Sequence, residues 1–324
     1  MIQSNYIELK KKREIGEILS DTFTFLRSNF KVIFKVLAKT TGIPFIILIV
    51  AIVYYNTTSS ELVDVISGIG APNFDIVQFI ISFIILMIAA MTYNGLLYGS
   101  ISEYIKEYNN TTGNPNIETV LQKIKTNTSK FIGLAFANLV YVILGPVLLM
   151  ILGIFLIGSG SAAIIFGVLI FIFAIVLMVY LYTKYTVIFP SITNANTSIS
   201  NSFTISGKLI KNEWWITFVT LIVLGIIIGV ISFVFQLPAV IYDVSKEFTG
   251  SNTFSVSDDS IDWVFVILTT ISNAISYILY LILAIASNFI YFNLNERKNQ
   301  SGSLERIDTI GESDDANDNF IKRF

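Results

Sequence analysis

The sequence predicts an all-α, multi-pass membrane bundle of six transmembrane helices with amphipathic helices along one side. Three observations predict it. Hydrophobic types make up 54% of the 324 residues and charged types only 14%, where soluble chains carry roughly a quarter charged residues. Mean hydropathy is correspondingly positive, at +0.71. The apolar residues gather in six runs, each reaching or exceeding the roughly 20 residues that a helix needs to cross a hydrocarbon core.

The chain divides into a polar N-terminus (1–12), a six-span membrane region (13–299) and a polar tail (300–324) read as disordered. No short apolar stretch with a small-residue cleavage site follows Lys10-Lys11-Lys12-Arg13, so no signal peptide is expected. Residues 15–33 read as an amphipathic helix. Ile15, Ile18, Leu19, Thr22, Phe23, Leu26, Phe30 and Ile33 recur at three- and four-residue steps, and Glu17, Asp21, Arg27 and Lys31 fill the other face. The first span covers about 36–55, with Gly42 and Pro44 near its start. A turn-rich connection (56–75) with Gly68, Gly70 and Pro72 leads to the second span at 76–100, whose helix continues toward Tyr108.

Residues 109–115 break that helix, and Asn114 with Pro115 predicts the cap and first position of the next. The third span (131–157) and the fourth (162–189) flank Gly158-Ser159-Gly160-Ser161, which predicts a tight antiparallel hairpin, with Pro190 ending the fourth. Residues 194–213 form a thinner amphipathic stretch. Trp214-Trp215 opens the fifth span (214–242), an acidic connection follows, and the sixth span covers 263–293. The chain also divides into three similar units, each an amphipathic helix followed by a hairpin of spans, which suggests a three-hairpin pseudo-repeat.

Charge assigns the sides. With the N-terminus, residues 101–130, residues 184–213 and the tail on one side, only Lys246 of the 21 Lys and Arg residues falls opposite. The positive-inside rule makes that basic side cytoplasmic and places both termini there. Trp214, Trp215 and Trp263 sit where interface anchors belong.

Catalysis finds little material. The chain has no Cys and no His, which excludes thiolate nucleophiles, cysteine-bound metals and histidine general bases. No catalytic residue, cofactor or metal is expected. The third, second, fifth and sixth span interiors lack Asp, Glu, Lys and Arg, against the carboxylate relay of a proton-coupled transporter. Asn94, Asn138, Asn273 and Asn288 remain as intramembrane amides that either line a polar cavity or bond between helices. Lys35, Lys39 and Lys184 lie near span ends, where they either snorkel or contact lipid headgroups. Gly225 and Gly229 have the spacing of a close helix approach. Asp258 and Asp259 lack the register of a calcium loop.

Arg13-Glu14-Ile15-Gly16-Glu17-Ile18-Leu19, then Phe189-Pro190-Ser191 with Ser202-Phe203 and Lys208 ahead of Trp214-Trp215, and finally Tyr291-Phe292-Asn293-Leu294-Asn295-Glu296-Arg297-Lys298 carry a resemblance. The pattern is similar to the membrane domain attached to some glycerophosphoryl diester phosphodiesterases and to related stand-alone membrane proteins of bacteria. The resemblance implies a helical domain of the cytoplasmic (inner) membrane and not the phosphodiesterase activity, whose catalytic domain has no counterpart here. The functional expectation is a non-catalytic scaffold or envelope-homeostasis component, with a carrier of a lipid-like or weakly polar molecule as the alternative. Expected partners are membrane lipids and other membrane proteins or further copies of the chain, not nucleic acid.

Overall fold

The structure, a computed structural model, describes residues 6–59, 74–160, 163–248, 262–300, 302 and 304. Among the described residues every regular element is helical. Six stretches are long and apolar enough to cross a membrane, so the chain is a multi-pass helical membrane protein. Asp258, Asp259, Gly68, Gly70, Pro72 and the tail beyond Leu304 lie outside the described residues.

Helix α1 (Ile15–Thr40) runs well past the 33 expected from its periodicity and meets α2 (Gly42–Ser59) at Thr41. The junction is held by the Thr41 N–H and hydroxyl, both donating to the Leu37 carbonyl at 2.7 and 2.8 Å. The first helix apolar and long enough to cross is α2, while Ile33 and Val36, near the start of the expected span, belong to the buried stripe of α1. Lys35 and Lys39 are exposed on the other face of α1. Helix α1 opens with a reciprocal box in which Glu14 and Glu17 satisfy each other's backbone N–H groups.

Helix α3 (Ile76–Asn110) starts at Asp75, whose carboxylate accepts from the Val77 and Gln78 N–H groups at 2.9 and 3.2 Å. It stays helical ten residues beyond the expected span because Ile101, Tyr104, Ile105 and Tyr108 have a core to enter. Helix α4 (Ile117–Asn138) is capped by Asn116, which accepts from Glu118 and Thr119, rather than by Asn114. Pro115 consequently stands outside the helix instead of at its first position. A π-helical turn (Leu139–Leu144) joins α4 to α5 (Gly145–Gly158). Pro146 explains it: the ring has no N–H and clashes with the carbonyl four residues back, and the wider winding absorbs both faults.

Helix α6 (Ala163–Lys184) ends before Pro190, which instead occupies the third position of the short helix α7 (Ile188–Asn194). Proline is tolerated there because the first N–H groups of a helix have no intrahelical partner. Helix α8 (Ile199–Ile210) is capped by the Ser198 hydroxyl. The long helices α9 (Trp214–Phe248) and α10 (Trp263–Asn299) complete the chain.

Three hairpins result: α2 with α3, α5 with α6, and α9 with α10. Helix α10 also packs against α1, α2, α3 and α7, so it is the centre of the bundle. The three hairpins are preceded by α1, the first half of α4 and α8 respectively. Close approach falls elsewhere than the sequence suggested. Gly225 and Gly229 face open space, whereas a Cβ on Gly95 would meet the Phe131 carbonyl oxygen at 2.8 Å. Gly99 is likewise pressed on the Phe131 ring, so the pair that lets two backbones meet is Gly95 and Gly99, with α4 as the neighbour. Gly153 and Gly167 do the same between α5 and α6, each Cβ position lying 2.9 or 2.7 Å from the other's carbonyl.

Both ends of the described chain meet on one face. Tyr6, Ile7 and Leu9 pack on the core, so the N-terminal segment is less free than its polarity suggests. Arg13 is 1% exposed. Its guanidinium donates to Asp21 at 2.8 Å and to the Leu9 carbonyl at 2.7 Å, and lies 5.0 Å over the Phe289 ring. Its N–H donates to the Asn293 side chain at 2.7 Å, while Arg297 donates to its carbonyl at 2.9 Å. The segments that carried the family resemblance, 13–19 and 291–298, thus meet in a clasp that closes the bundle. That face also carries the basic residues and is called the basic face below.

Candidate functional site: a basic, aromatic pocket at the helix ends

Helix α8 lies beside the end of α6 because its small polar face bonds there. The Ser206 hydroxyl donates to the Lys184 carbonyl at 2.8 Å, satisfying one of the last carbonyls of α6. Gly207 leaves room for the Lys184 stem, which a Cβ there would approach to 3.3 Å. Leu209 and Ile210 anchor the other face of α8 in the core. The chain then turns into α9 at Trp214, which stacks on Tyr180 at 6.0 Å between ring centroids and on Phe218 at 4.9 Å. The indole N–H points to the Tyr180 carbonyl at 3.4 Å.

Between these elements and the π turn lies a cavity of about 550 Å³. Its apolar wall is aromatic: Phe203 meets Tyr141 at 5.0 Å and Tyr185 at 5.1 Å. Lys184 lies over two rings, 5.6 Å from Tyr180 and 5.2 Å from Tyr185. Lys208 and Lys211 face it from α8 and its end. No carboxylate lines the cavity, and among the described residues none of these three lysines makes an ion pair. The nearest acidic position in sequence, Glu213, is turned toward Arg297 at 3.7 Å. Three ammonium groups, four tyrosine or tryptophan rings and an open side make a pocket for an anion attached to something apolar. The helices that carry Lys184 and Trp214 also offer apolar surface, because Phe173 and Val176 on α6 and Val219 and Ile222 on α9 are exposed.

Of the residues singled out from sequence, Lys184 and Trp214 come together here. Trp215 and Trp263 are exposed on the outside, at opposite ends of the bundle from each other. The four asparagines are dispersed. Asn94 donates to the Ala90 carbonyl of its own helix at 2.9 Å. Asn138 precedes the π turn. Asn273 is exposed and lines a separate cleft of about 220 Å³ with Gln236, Asp243 and Thr269. Asn288, fully buried, donates to Ser102 at 3.2 Å across the α3–α10 contact. It lies about 22 Å from Asn273 along α10, and no hydrogen bond joins any two of the four. Sequence reasoning missed Lys211, and it gave Lys208 no binding role. Their three-residue spacing on a serine-rich amphipathic stretch, just ahead of a tryptophan pair, was the available signal.

The fold and this pocket define a class: a polytopic helical membrane protein with a basic, aromatic pocket between the end of one long apolar helix and the start of another. No family model, no curated protein and no solved structure matches the chain.

Proposed function

We propose that this is a non-catalytic membrane protein that holds an acidic phospholipid at its basic face. The lipid phosphate sits among Lys184, Lys208 and Lys211, and the acyl chains run along α6 and α9. The observation that carries the reading is the coincidence of three unpaired ammonium groups with an aromatic wall at the end of a lipid-exposed helix pair. Lysine binds phosphate as a point charge on a flexible stem, which suits a mobile headgroup. Tyrosine and tryptophan prefer the headgroup level for the same amphipathic reason. The absence of His and Cys from the chain supports a binding role over a chemical one. The dispersal of the four asparagines favours retention of lipid at one face over passage through the bundle.

The basic face is placed in the cytosol, as the positive-inside rule directs, with the cytoplasmic membrane of a bacterium as the location its resemblance implies. Because the chain has no cysteine, Ser159→Cys gives a single thiol at the α5–α6 turn. It should react with a membrane-impermeant maleimide added to intact cells, and protection there would reverse the orientation.

Lipid retention tests the main reading. The protein purified in mild detergent should carry acidic phospholipid in near-stoichiometric amount by native mass spectrometry. The triple variant Lys184→Gln, Lys208→Gln, Lys211→Gln should lose it while retaining its helical circular dichroism. Equal retention by both proteins would refute the proposal.

A further inference from the structure

A second polar site lies between α3, α4 and α7, independent of the lipid pocket. Glu103 on α3 is 3% exposed. One carboxylate oxygen accepts from the Asn127 amide at 3.0 Å, and the other, Oε2, is buried with no hydrogen-bond partner. Thr193 on α7 is 4% exposed, and its hydroxyl is also unpartnered. Both residues line a cavity of about 190 Å³, with Lys106, Lys123 and Lys130 also on its wall. None of these lysines pairs with Glu103. Lys106 donates to the Thr193 carbonyl at 2.6 Å, and Lys123 is paired with Glu107 at 2.8 Å. Lys130 is exposed on the rim.

A buried carboxylate without a partner is costly, and an unsatisfied oxygen lining a cavity marks where a donor belongs. When ionised it can only accept, so whatever meets Oε2 must bring an N–H or O–H. Beyond Oε2 and the Thr193 hydroxyl the wall carries three lysines, of which, among the described residues, only Lys123 has a carboxylate partner, so an anionic group suits the rest of the ligand. A primary ammonium joined by a short linker to an oxyanion meets both demands. The ammonium pairs with Glu103, and the oxyanion reaches the lysines. A phosphate suits the lysine cluster better than a carboxylate because its oxygens point in three directions.

We infer that the cavity bounded by Glu103, Thr193, Asn127 and the three lysines binds an aminoalkyl phosphate, with its primary ammonium on Glu103 and its phosphate toward Lys123 and Lys130. The same group occurs free, as phosphoethanolamine, and as the headgroup of phosphatidylethanolamine. A quaternary ammonium has no N–H to donate and is excluded by the same chemistry.

The test uses the full chain in phosphatidylcholine nanodiscs. Isothermal titration with phosphoethanolamine is one arm, and native mass spectrometry after adding phosphatidylethanolamine to the nanodiscs is the other. Binding in either arm supports the site, and the arm that binds identifies the source. Ethanolamine alone, inorganic phosphate alone and phosphocholine should each bind at least about tenfold more weakly, the factor that one charge-assisted hydrogen bond supplies. Glu103→Gln should weaken the aminoalkyl phosphate by at least about tenfold. If that variant melts lower without ligand, Lys130→Gln on the exposed rim carries the test: it should weaken phosphoethanolamine and leave ethanolamine unchanged. Absence of binding in both arms, or a Glu103→Gln protein that binds as tightly as the parent, would overturn the inference. Equal affinity for inorganic phosphate would do the same, reducing the cavity to a simple anion site.

Discussion

The α5–α6 hairpin, whose α5 continues α4 through the π turn, and the α3–α10 pair both reach membrane length, yet they are made in opposite ways. The stretch containing α6 is the most apolar of the six and the least buried, with 11% of its most apolar part buried against 28% for α10. Phe155, Ile165, Phe166 and Val176 are exposed on the hairpin. It touches the rest of the bundle only lightly, chiefly through the π turn, α8 and α9. Helix α10 is less apolar and encloses Ser287, Asn288, Asn293 and Glu296. In a bilayer, the residues that look most like a core face lipid, while polar groups mark where helices meet. The hairpin is held by shape at Gly153 and Gly167, and the central pair by hydrogen bonds and packed rings around Phe25. That ring sits 5.0 to 6.2 Å from Tyr104, Tyr108 and Phe289.

The largest expected effect breaks the central region. Arg13→Ala leaves the Asp21 carboxylate without its closest cation and the Leu9 carbonyl without its donor, inside the terminal clasp. Asp21 is partly exposed and keeps Lys11 at 3.7 Å, so the cost lies in the lost charge-assisted hydrogen bonds of a buried guanidinium, about 1.5–3 kcal/mol for each. The variant should show a large loss of thermal stability in detergent-solubilised protein. Arg13→Lys should recover only part of it, because an ammonium cannot serve the same fork of acceptors. A melting temperature unchanged by Arg13→Ala would remove the clasp from the account.

Next come the glycines, which compare the two regions directly. Gly95→Ala sets a methyl 2.8 Å from the Phe131 carbonyl oxygen, at the contact of α3 with α4. Overpacking of this kind costs about 1–3 kcal/mol, and the melting temperature should fall. Gly167→Ala meets the Gly153 carbonyl oxygen at 2.7 Å but should act locally. A cysteine pair placed across α5 and α6 should cross-link more slowly, while the melting of the bundle moves little. Gly225→Ala, facing open space, should change neither readout. If the two strained sites behaved alike in both assays, the hairpin would not be a separate unit.

Asn288→Leu probes how much the central polar contact contributes. The side chain donates to Ser102, yet its Oδ1 is buried without a partner. The gain and the penalty nearly offset, so thermal stability should change by less than about 1 kcal/mol. A loss several times larger would mean that the amide oxygen is engaged after all.

The smallest effect lies at the opposite end of the bundle. Burial of Asp262 opposes its ionisation, but Lys246 at 2.5 Å, the Phe265 N–H and the Tyr242 hydroxyl together hold its carboxyl below the usual range. A lowered value means that the contact stabilises the α9–α10 hairpin above the ordinary carboxylate range and is lost as pH falls through the lowered one. Fluorescence of Trp263, adjacent in the chain, should therefore report a transition below about pH 4. Asp262→Asn should abolish it. Both partners are partly exposed, so overall stability should move by only a few tenths of a kcal/mol.

The six spans were legible because a bilayer leaves a helix no alternative composition. What faces what was not. Gly225 and Gly229 have the same four-residue spacing as Gly95 and Gly99, and only a neighbour distinguishes them. Phe25, at the centre of the aromatic cluster, was left out of the stripe read from α1, although it shares a face with Ile18; the buried stripe of Ile18, Thr22, Phe25, Ile33 and Val36 is turned relative to the one read from the sequence. The burial of Arg13 depends on Asn293, far along the chain, so no local pattern announces it. At the pocket, Lys184 and Trp214 were legible as interfacial types. Their meeting with Lys208 and Lys211 required the fold of α8 across the end of α6.

The central claim is that the lightly attached hairpin, with α8 and α9, holds acidic lipid while the α3–α10 region holds the fold. The most direct measurement is the melting temperature in nanodiscs of phosphatidylcholine alone and with added phosphatidylglycerol, for the parent and for the triple variant at Lys184, Lys208 and Lys211. The account predicts equal melting of the two proteins in phosphatidylcholine and an upward shift with phosphatidylglycerol in the parent only. An equal shift in both proteins, or no shift in either, would contradict it.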